Sequence, residues 1–281
     1  MPDNPDELLG HPEDGGPKVI QRHELTYGDY LKVDQLLDLQ VLLSDPPHHD
    51  ETLFIVIHQT FELWFKQIKH ELEAAMAAMD RDEALQAHQS MRRVVRIMHV
   101  LVGQVNVLET MATVEFLAFR DNLNPASGFQ SIQFREIEFM AGLKSERYLD
   151  VFRFRPDYQE TLRRRLAGPD LRSCFFGLLR RQGYAVPEDE DEAHREALLE
   201  ALTRLYQRPD DNLRVYLLSE SLMDFDEALV HWRNHHVLMV ERIIGLRPGT
   251  GGSAGVRYLE STTSKRCFPL LWEVRTRLKK A

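Results

Sequence analysis

One spacing near the end of the chain constrains the fold more than any other feature. Leu218, Leu222, Phe225, Leu229, Trp232, His236, Met239 and Ile243 follow one another at intervals of 4, 3, 4, 3, 4, 3 and 4. Only a helix places such a series on one line, so a helix over about 210–245 must bury a single stripe along its length. Period-2 alternation, which a half-buried strand requires, has no convincing run after Leu25. Further helices are expected over about 28–43, 51–80, 82–112, 114–123, 129–143, 157–167, 169–183 and 190–207. Breaks fall at Asp45-Pro46-Pro47, Asn124-Pro125, Gly168-Pro169 and Gly183. Asp45, Asp157 and Asp189 suit caps or turns, and Gly245 followed by Pro248 suits a helix stop. Nothing repeats at a fixed period, which disfavours a solenoid. The expectation is an all-α fold: one helical bundle over 23–281, with the charge-rich stretch 144–210 as a peripheral helical layer. Residues 1–22, rich in proline, glycine and acids, are expected to form a mobile tail.

Composition narrows the function classes. With 43% hydrophobic residues in 281, the chain can bury a core without staples. Thirty-five basic against 44 acidic residues leave a net charge of −9, which disfavours sequence-independent nucleic-acid binding. The two cysteines, Cys174 and Cys267, lie in apolar surroundings, so neither a disulfide scaffold nor a cysteine-ligated zinc site is expected. The longest aliphatic and aromatic run, Leu53 to Ile57, is far short of the ~20 residues a membrane span needs. The acidic start MPDNPDELLG has no apolar core of the kind a secretory signal carries. A cytoplasmic protein without a membrane partner is expected.

The chemistry concentrates where apolar stripes are interrupted. His236 sits inside the stripe, while His235 lies about 100° round the helix on the flank of His231. A second helix repeats the anomaly: Phe54, Ile57, Phe61, Trp64, Phe65 and Ile68 form a face with His58 within it. Taken singly, each imidazole is well explained as a core histidine hydrogen-bonded to a backbone carbonyl. Two of them among large aromatics on two long helices suit a cofactor site between helices, such as a histidine-held haem. Glu227, His231 and His235, at i, i+4 and i+8, form a competing metal set or simply a solvated face. The glycine-rich stretch Gly249–Gly255 follows a helix and lacks the ending of a phosphate loop; it suits a flap presenting Thr250, or an ordinary surface loop. Arg120, among Phe116, Leu117 and Phe119, suits either a carboxylate partner or plain solvation. Tyr27 and Tyr30, one turn apart beside Leu31, suit a packing face or an interface.

Four segments in order then carry a resemblance: LTYGDYLKVDQLL, FIVIHQTFELWFKQ, the stretch LETM…FLAFRDNLNPASGFQSIQFREIEF, and HHVLMVERIIG…GTGGSAG. Together they resemble the tryptophan 2,3-dioxygenase family, from about Leu25 to Leu278 and most weakly across 144–210. The resemblance implies an all-α haem protein, one haem b per subunit, assembled as a homotetramer. It implies cleavage of the indole C2–C3 bond of L-tryptophan with O2 to give N-formyl-L-kynurenine, the first step of the kynurenine pathway. By the same resemblance His236 is the axial haem ligand, and Phe54 and His58 are the distal pair, with His58 orienting the indole N–H rather than acting as an essential base. Arg120 pairs with the substrate carboxylate, Phe116 walls the indole pocket, Ser127 and Gly128 line the distal side, and Thr250 contacts the amino acid end. Tyr27, Tyr30 and Leu31 reach the site of a neighbouring subunit. Phe116 replaces a tyrosine found in some members, and Ala254 a serine frequent in the flap. A haem-binding sensor without catalysis, or an oxygenase of another indole, is the alternative. Arg120 with Thr250 discriminates, since a sensor of O2 needs no carboxylate clamp.

Overall fold

The computed structural model describes residues 24–188, 192–252 and 254–279. The expected tail over 1–22 and the expected turn former Asp189 lie outside them. Every regular element among the described residues is helical.

The chain divides after Val41 into two units. The first holds α1 (Tyr27–Leu31) and α2 (Val33–Leu37) in place of the single helix expected over 28–43. Between them Lys32 takes the left-handed conformation, φ 55°, a turn that a lysine does not advertise in sequence. Thr26 caps α1 by accepting the Asp29 amide at 3.0 Å. Neither helix contains a buried residue.

The second unit is built on long helices. α3 (His49–Asp80) and α4 (Ala84–Leu108) run close to their expected bounds. His48 caps α3, Asp45 lies in the bend before it, and the first turn of α3 carries Asp50 and Glu51, which suit the positive helix end. Glu51 is buried and accepts the amides of Leu43 and Ser44 at 2.7 and 3.0 Å. Burial alone would raise its carboxyl; the hydrogen bonds from Ser44 and Leu43 outweigh that and hold it below its usual range. α5 (Thr113–Arg120), α6 (Ile132–Met140), α7 (Arg147–Val151), α8 (Pro156–Ala167), α9 (Leu171–Arg181) and α10 (Arg195–Gln207) follow. α11 (Leu213–Ile244) then ends at Gly245, φ 60°, as its sequence signalled. α12 (Val256–Thr263) and α13 (Pro269–Glu273) complete the unit.

The predicted stripe of α11 is the buried one. Leu218, Leu222, Phe225 and Leu229 are fully buried, and Trp232, Met239 and Ile243 nearly so. Burying each such side chain contributes about 1.5–3 kcal/mol. α11 and α3 both lie along α4, and α6 and α9 pack on α3. The stretch expected to be peripheral divides: α7 and α8 enclose a small separate core around Phe139, Tyr148, Phe152 and Leu162. α9 and α10 instead send Phe175, Leu178, Leu198 and Leu202 into the main core, so that part is not a peripheral layer. Asp226, fully buried on α11, accepts the amides of Cys267 and Phe268 and the Trp272 indole at 2.8–3.0 Å, fastening the C-terminal segment. Among the described residues no single helix is long and apolar enough to cross a membrane.

Candidate functional site

At His236 the buried stripe of α11 opens onto a cavity of about 560 Å³. Its walls come from α3, the end of α4, α5, α6, α11, α12, the loop 123–131 and the flap residues Gly249, Thr250 and Gly255. His236 lies parallel to the Trp232 ring, centroids 5.3 Å apart and planes 2° from coplanar, which fixes its orientation. Burial, then the charges of His58 and His235, push the His236 imidazole down to about 4, so it is neutral at pH 7. A neutral imidazole is the ligand form iron requires. Its neighbour His235 is engaged elsewhere, 3.3 Å from Glu109. The competing metal set does not assemble. His231 is exposed and 3.8 Å from Glu227, and no group of three metal-ligating side chains occurs among the described residues.

His58 also lines the cavity, and it satisfies the bland expectation too. Its Nδ1 donates to the Phe54 carbonyl at 2.7 Å. Burial lowers its pKa against the raising effects of that hydrogen bond and of Glu62. A neutral ring with the proton on Nδ1 presents Nε2 as an acceptor. The Phe54 ring packs on His58 at 4.1 Å and stacks on Phe116 at 5.6 Å, giving the aromatic wall of this side.

The glycine-rich segment lines one side of the cavity. Thr250 Oγ1 donates to the Ala126 carbonyl at 2.6 Å, and Arg120 Nη2 donates to the Pro248 carbonyl at 2.5 Å. Gly251 lies so close to the 124–128 loop that a Cβ there would stand 2.5 Å from Ser127 Cβ. Gly255, φ +61°, leaves the segment with no room for a Cβ beside the Arg247 carbonyl. Ser127 in turn caps the short helical turn Gly128–Gln130.

One cavity therefore gathers Phe54, His58, Phe116, Arg120, Ser127, Gly128, His236 and Thr250. Tyr27, Tyr30 and Leu31 belong to the first unit, where all three side chains are exposed. Sequence reasoning missed Arg135, Glu138, Arg233 and Tyr258 on the wall. The first two were signalled by charges set into the apolar run FREIEF of α6.

The residues fit a haem. An unencumbered neutral imidazole faces a mainly aromatic and aliphatic space, and two buried N–H donors on its wall, Arg135 Nε and Trp232 Nε1, lack protein partners. Fold and cavity together define a helix-bundle protein built around an internal ligand site. More narrowly, the chain belongs to the tryptophan 2,3-dioxygenase family, whose profile matches residues 11–182 and 168–278. It is 47% identical over 266 residues to a tryptophan 2,3-dioxygenase of a Nocardioides species, covering 92% of this chain and 96% of that one. The same name is carried by relatives in Herpetosiphon aurantiacus, 45% identical with 90% and 98% covered, and Xanthomonas euvesicatoria, 43% identical with 90% and 87% covered.

Proposed function

We propose that this chain is a haem-dependent, cytoplasmic dioxygenase that converts L-tryptophan and O2 into N-formyl-L-kynurenine. The observation that carries the proposal is the convergence of His236, His58, Arg120 and Thr250 on one apolar cavity. Both oxygen atoms enter the product, one at each carbon of the cleaved indole C2–C3 bond. His236 would hold the iron of haem b, with Trp232 fixing its ring plane. Bound there, the haem supplies the oxygen activation that protein side chains lack.

The chain's own groups bind, orient and exclude water. His58 Nε2 accepts the indole N–H; because that N–H is a very weak acid, His58 orients rather than serving as an obligatory base. Phe54 and Phe116 pack on the indole, whose burial contributes about 25 cal/mol per Å². Arg120 offers a two-pronged donor to the carboxylate, exchanging the Pro248 carbonyl for a charged acceptor. The Thr250 hydroxyl, which donates to the Ala126 carbonyl, offers its oxygen lone pair to the ammonium as acceptor, and Ser127 and Gly128 form the distal loop. Tyr27, Tyr30 and Leu31 complete a neighbouring subunit's pocket in a homotetramer. Residues 23–281 act as one haem dioxygenase domain preceded by the tail 1–22. Two buried free cysteines suit a reducing compartment.

The test is direct. The purified protein, loaded with haem and reduced, is given L-tryptophan in air, and the N-formylkynurenine absorption band is followed. A histidine-ligated Soret spectrum with product growth supports the proposal. A haem spectrum with no consumption of tryptophan would turn the reading to a sensor.

A further inference from the structure

Two acidic side chains stand on the cavity wall among the described residues, Glu62 and Glu138. Glu138 is matched: Arg135 Nη1 and Arg233 Nη2 donate to its two oxygens at 2.5 and 2.8 Å. Glu62, on α3 one turn after His58, pairs with no cation among the described residues, and its carboxylate accepts only from Gln133 there. Gln133 Nε2 donates to that carboxylate at 2.9 Å and to the Glu62 backbone carbonyl at 2.8 Å. The carbonyl alone would satisfy Gln133, so tying α6 to α3 does not call for an acid at this position. An ionised group in a mainly apolar wall costs free energy that a neutral residue would not. His58 gives the charge a use. Helix side chains tilt toward the N-terminus, so a residue at i+4 lies over the turn of residue i. The Glu62 carboxylate accordingly stands beside the His58 imidazole, where its charge opposes the effect of burial on that ring. The rest of the ring is enclosed. Phe54 packs on it at 4.1 Å, Phe61 meets it edge-on at 6.1 Å, and Nδ1 donates to the Phe54 carbonyl at 2.7 Å. Nε2 is left as the acceptor that the cavity sees.

We propose that Glu62 is a positioning residue for the dioxygenase reaction: its carboxylate, held by Gln133, acts through His58 and strengthens the bond that His58 Nε2 accepts from the indole N–H. The inference rests on the tryptophan reading above. A negative charge beside the imidazole makes its lone pair a better acceptor, and a low-dielectric wall screens that effect little. As electrons leave the indole for oxygen, positive charge grows at the N–H. The hydrogen bond, and the contribution of Glu62 to it, then grow toward the transition state.

The experiment is a double-mutant cycle on the haem-loaded enzyme. Glu62→Gln removes the charge but keeps the shape and an oxygen that accepts from Gln133. It should lower kcat/KM for L-tryptophan by roughly tenfold, within the coupling range of touching side chains. In the His58→Ala chain the same change should cost less than about twofold, because the group it acts through is gone. Equal losses in both backgrounds, or no loss in the first, overturn the proposal. Binding of the benzothiophene analogue of L-tryptophan, in which sulfur replaces the N–H, gives a second readout through the Soret band. Glu62→Gln should leave that affinity unchanged while weakening L-tryptophan; equal weakening of both ligands assigns Glu62 a structural role and overturns the proposal too. Gln133→Ala repeats the test without touching Glu62, so a poorly folding Glu62→Gln does not shield it. Its loss of kcat/KM should likewise vanish in the His58→Ala chain, and a loss that persists there overturns the proposal. If the wild type neither binds nor consumes L-tryptophan, the tryptophan reading itself falls, and that is seen before any variant is compared.

Discussion

At the scale of single residues, two adjacent histidines have opposite surroundings. His236 lies on the buried stripe and faces the cavity; His235 sits 3.3 Å from Glu109. The 4-3 spacing alone separates them, which is why this part of the site was legible in sequence. His236→Ala should lose haem or its histidine-ligated spectrum, while His235→Ala keeps it; the reverse pattern in purified proteins sinks the assignment. His58 titrates to a different end. Burial holds its pKa below the usual 6.5, and protonation would place a proton on the nitrogen that must accept. Lowering the pKa moves that loss to lower pH, so kcat/KM for L-tryptophan should show no inflection near pH 6.5. His58→Ala should keep haem and measurable turnover; abolished chemistry with tryptophan still bound would make it a base. Arg120 is held by a neutral carbonyl that a carboxylate outcompetes. Removing the substrate carboxylate leaves the cation poorly matched, costing about 2–5 kcal/mol, or roughly 30- to several-thousand-fold in kcat/KM. Tryptamine should therefore be a poor substrate. Arg120→Ala should depress kcat/KM for L-tryptophan far more than for tryptamine, and equal losses would refute the clamp. Of the buried cations, Arg135 was legible as a charge paired with Glu138 in the apolar run of α6, whereas Arg233 was not, because its partner Glu138 arrives from another helix.

At the scale of elements, legibility follows length. α3, α4 and α11 are long enough for period and caps to agree, and their bounds lie within a few residues of expectation. α7, α12 and α13 were not foreseen. A five- or eight-residue helix is marginal by itself, and each is held by partners distant in sequence. α13 begins after Phe268, whose amide is fixed by Asp226. α12 carries Tyr258, tied to Tyr148 of α7. The flap between α11 and α12 reads as loose from its glycines, yet it is seated on the 124–128 loop. Gly251→Ala would force Ser127 and the flap apart. It should raise KM for L-tryptophan several-fold with an unchanged Soret band. Ser127→Gly in the same chain makes room for the new methyl and should recover part of the loss. An unchanged KM in the single variant would show that the flap does not seat this way during turnover.

At the scale of the whole molecule, the two units differ in self-sufficiency. The second buries a continuous core of helix faces, and its all-helical character was plain from the missing strand alternation. The first is different: Tyr27, Tyr30, Leu37 and Val41 are between 69 and 77% exposed, and its two helices are five residues each. Helices so short hold only when packed, and so much exposed apolar surface is what the proposed contact with a neighbouring subunit would cover. The position of the break at Lys32 was invisible in sequence, whereas the tyrosine pair already suggested a contact. If this unit completes a neighbour's pocket, function is shared between chains, and two differently disabled subunits should repair each other. One subunit carries Tyr27→Ala, Tyr30→Ala and Leu31→Ala with an intact cavity; the other carries His236→Ala with an intact first unit. Each homo-oligomer alone should be nearly inactive. Co-expressed, random assembly supplies an intact first unit to about half of the intact cavities, so activity per haem should recover to about half of wild type. Light scattering on the same sample should report one oligomer, a tetramer. Repair cannot occur if each chain serves only its own cavity, so mixed assemblies no more active than their parents, or a fully active monomer, would end the shared-site account.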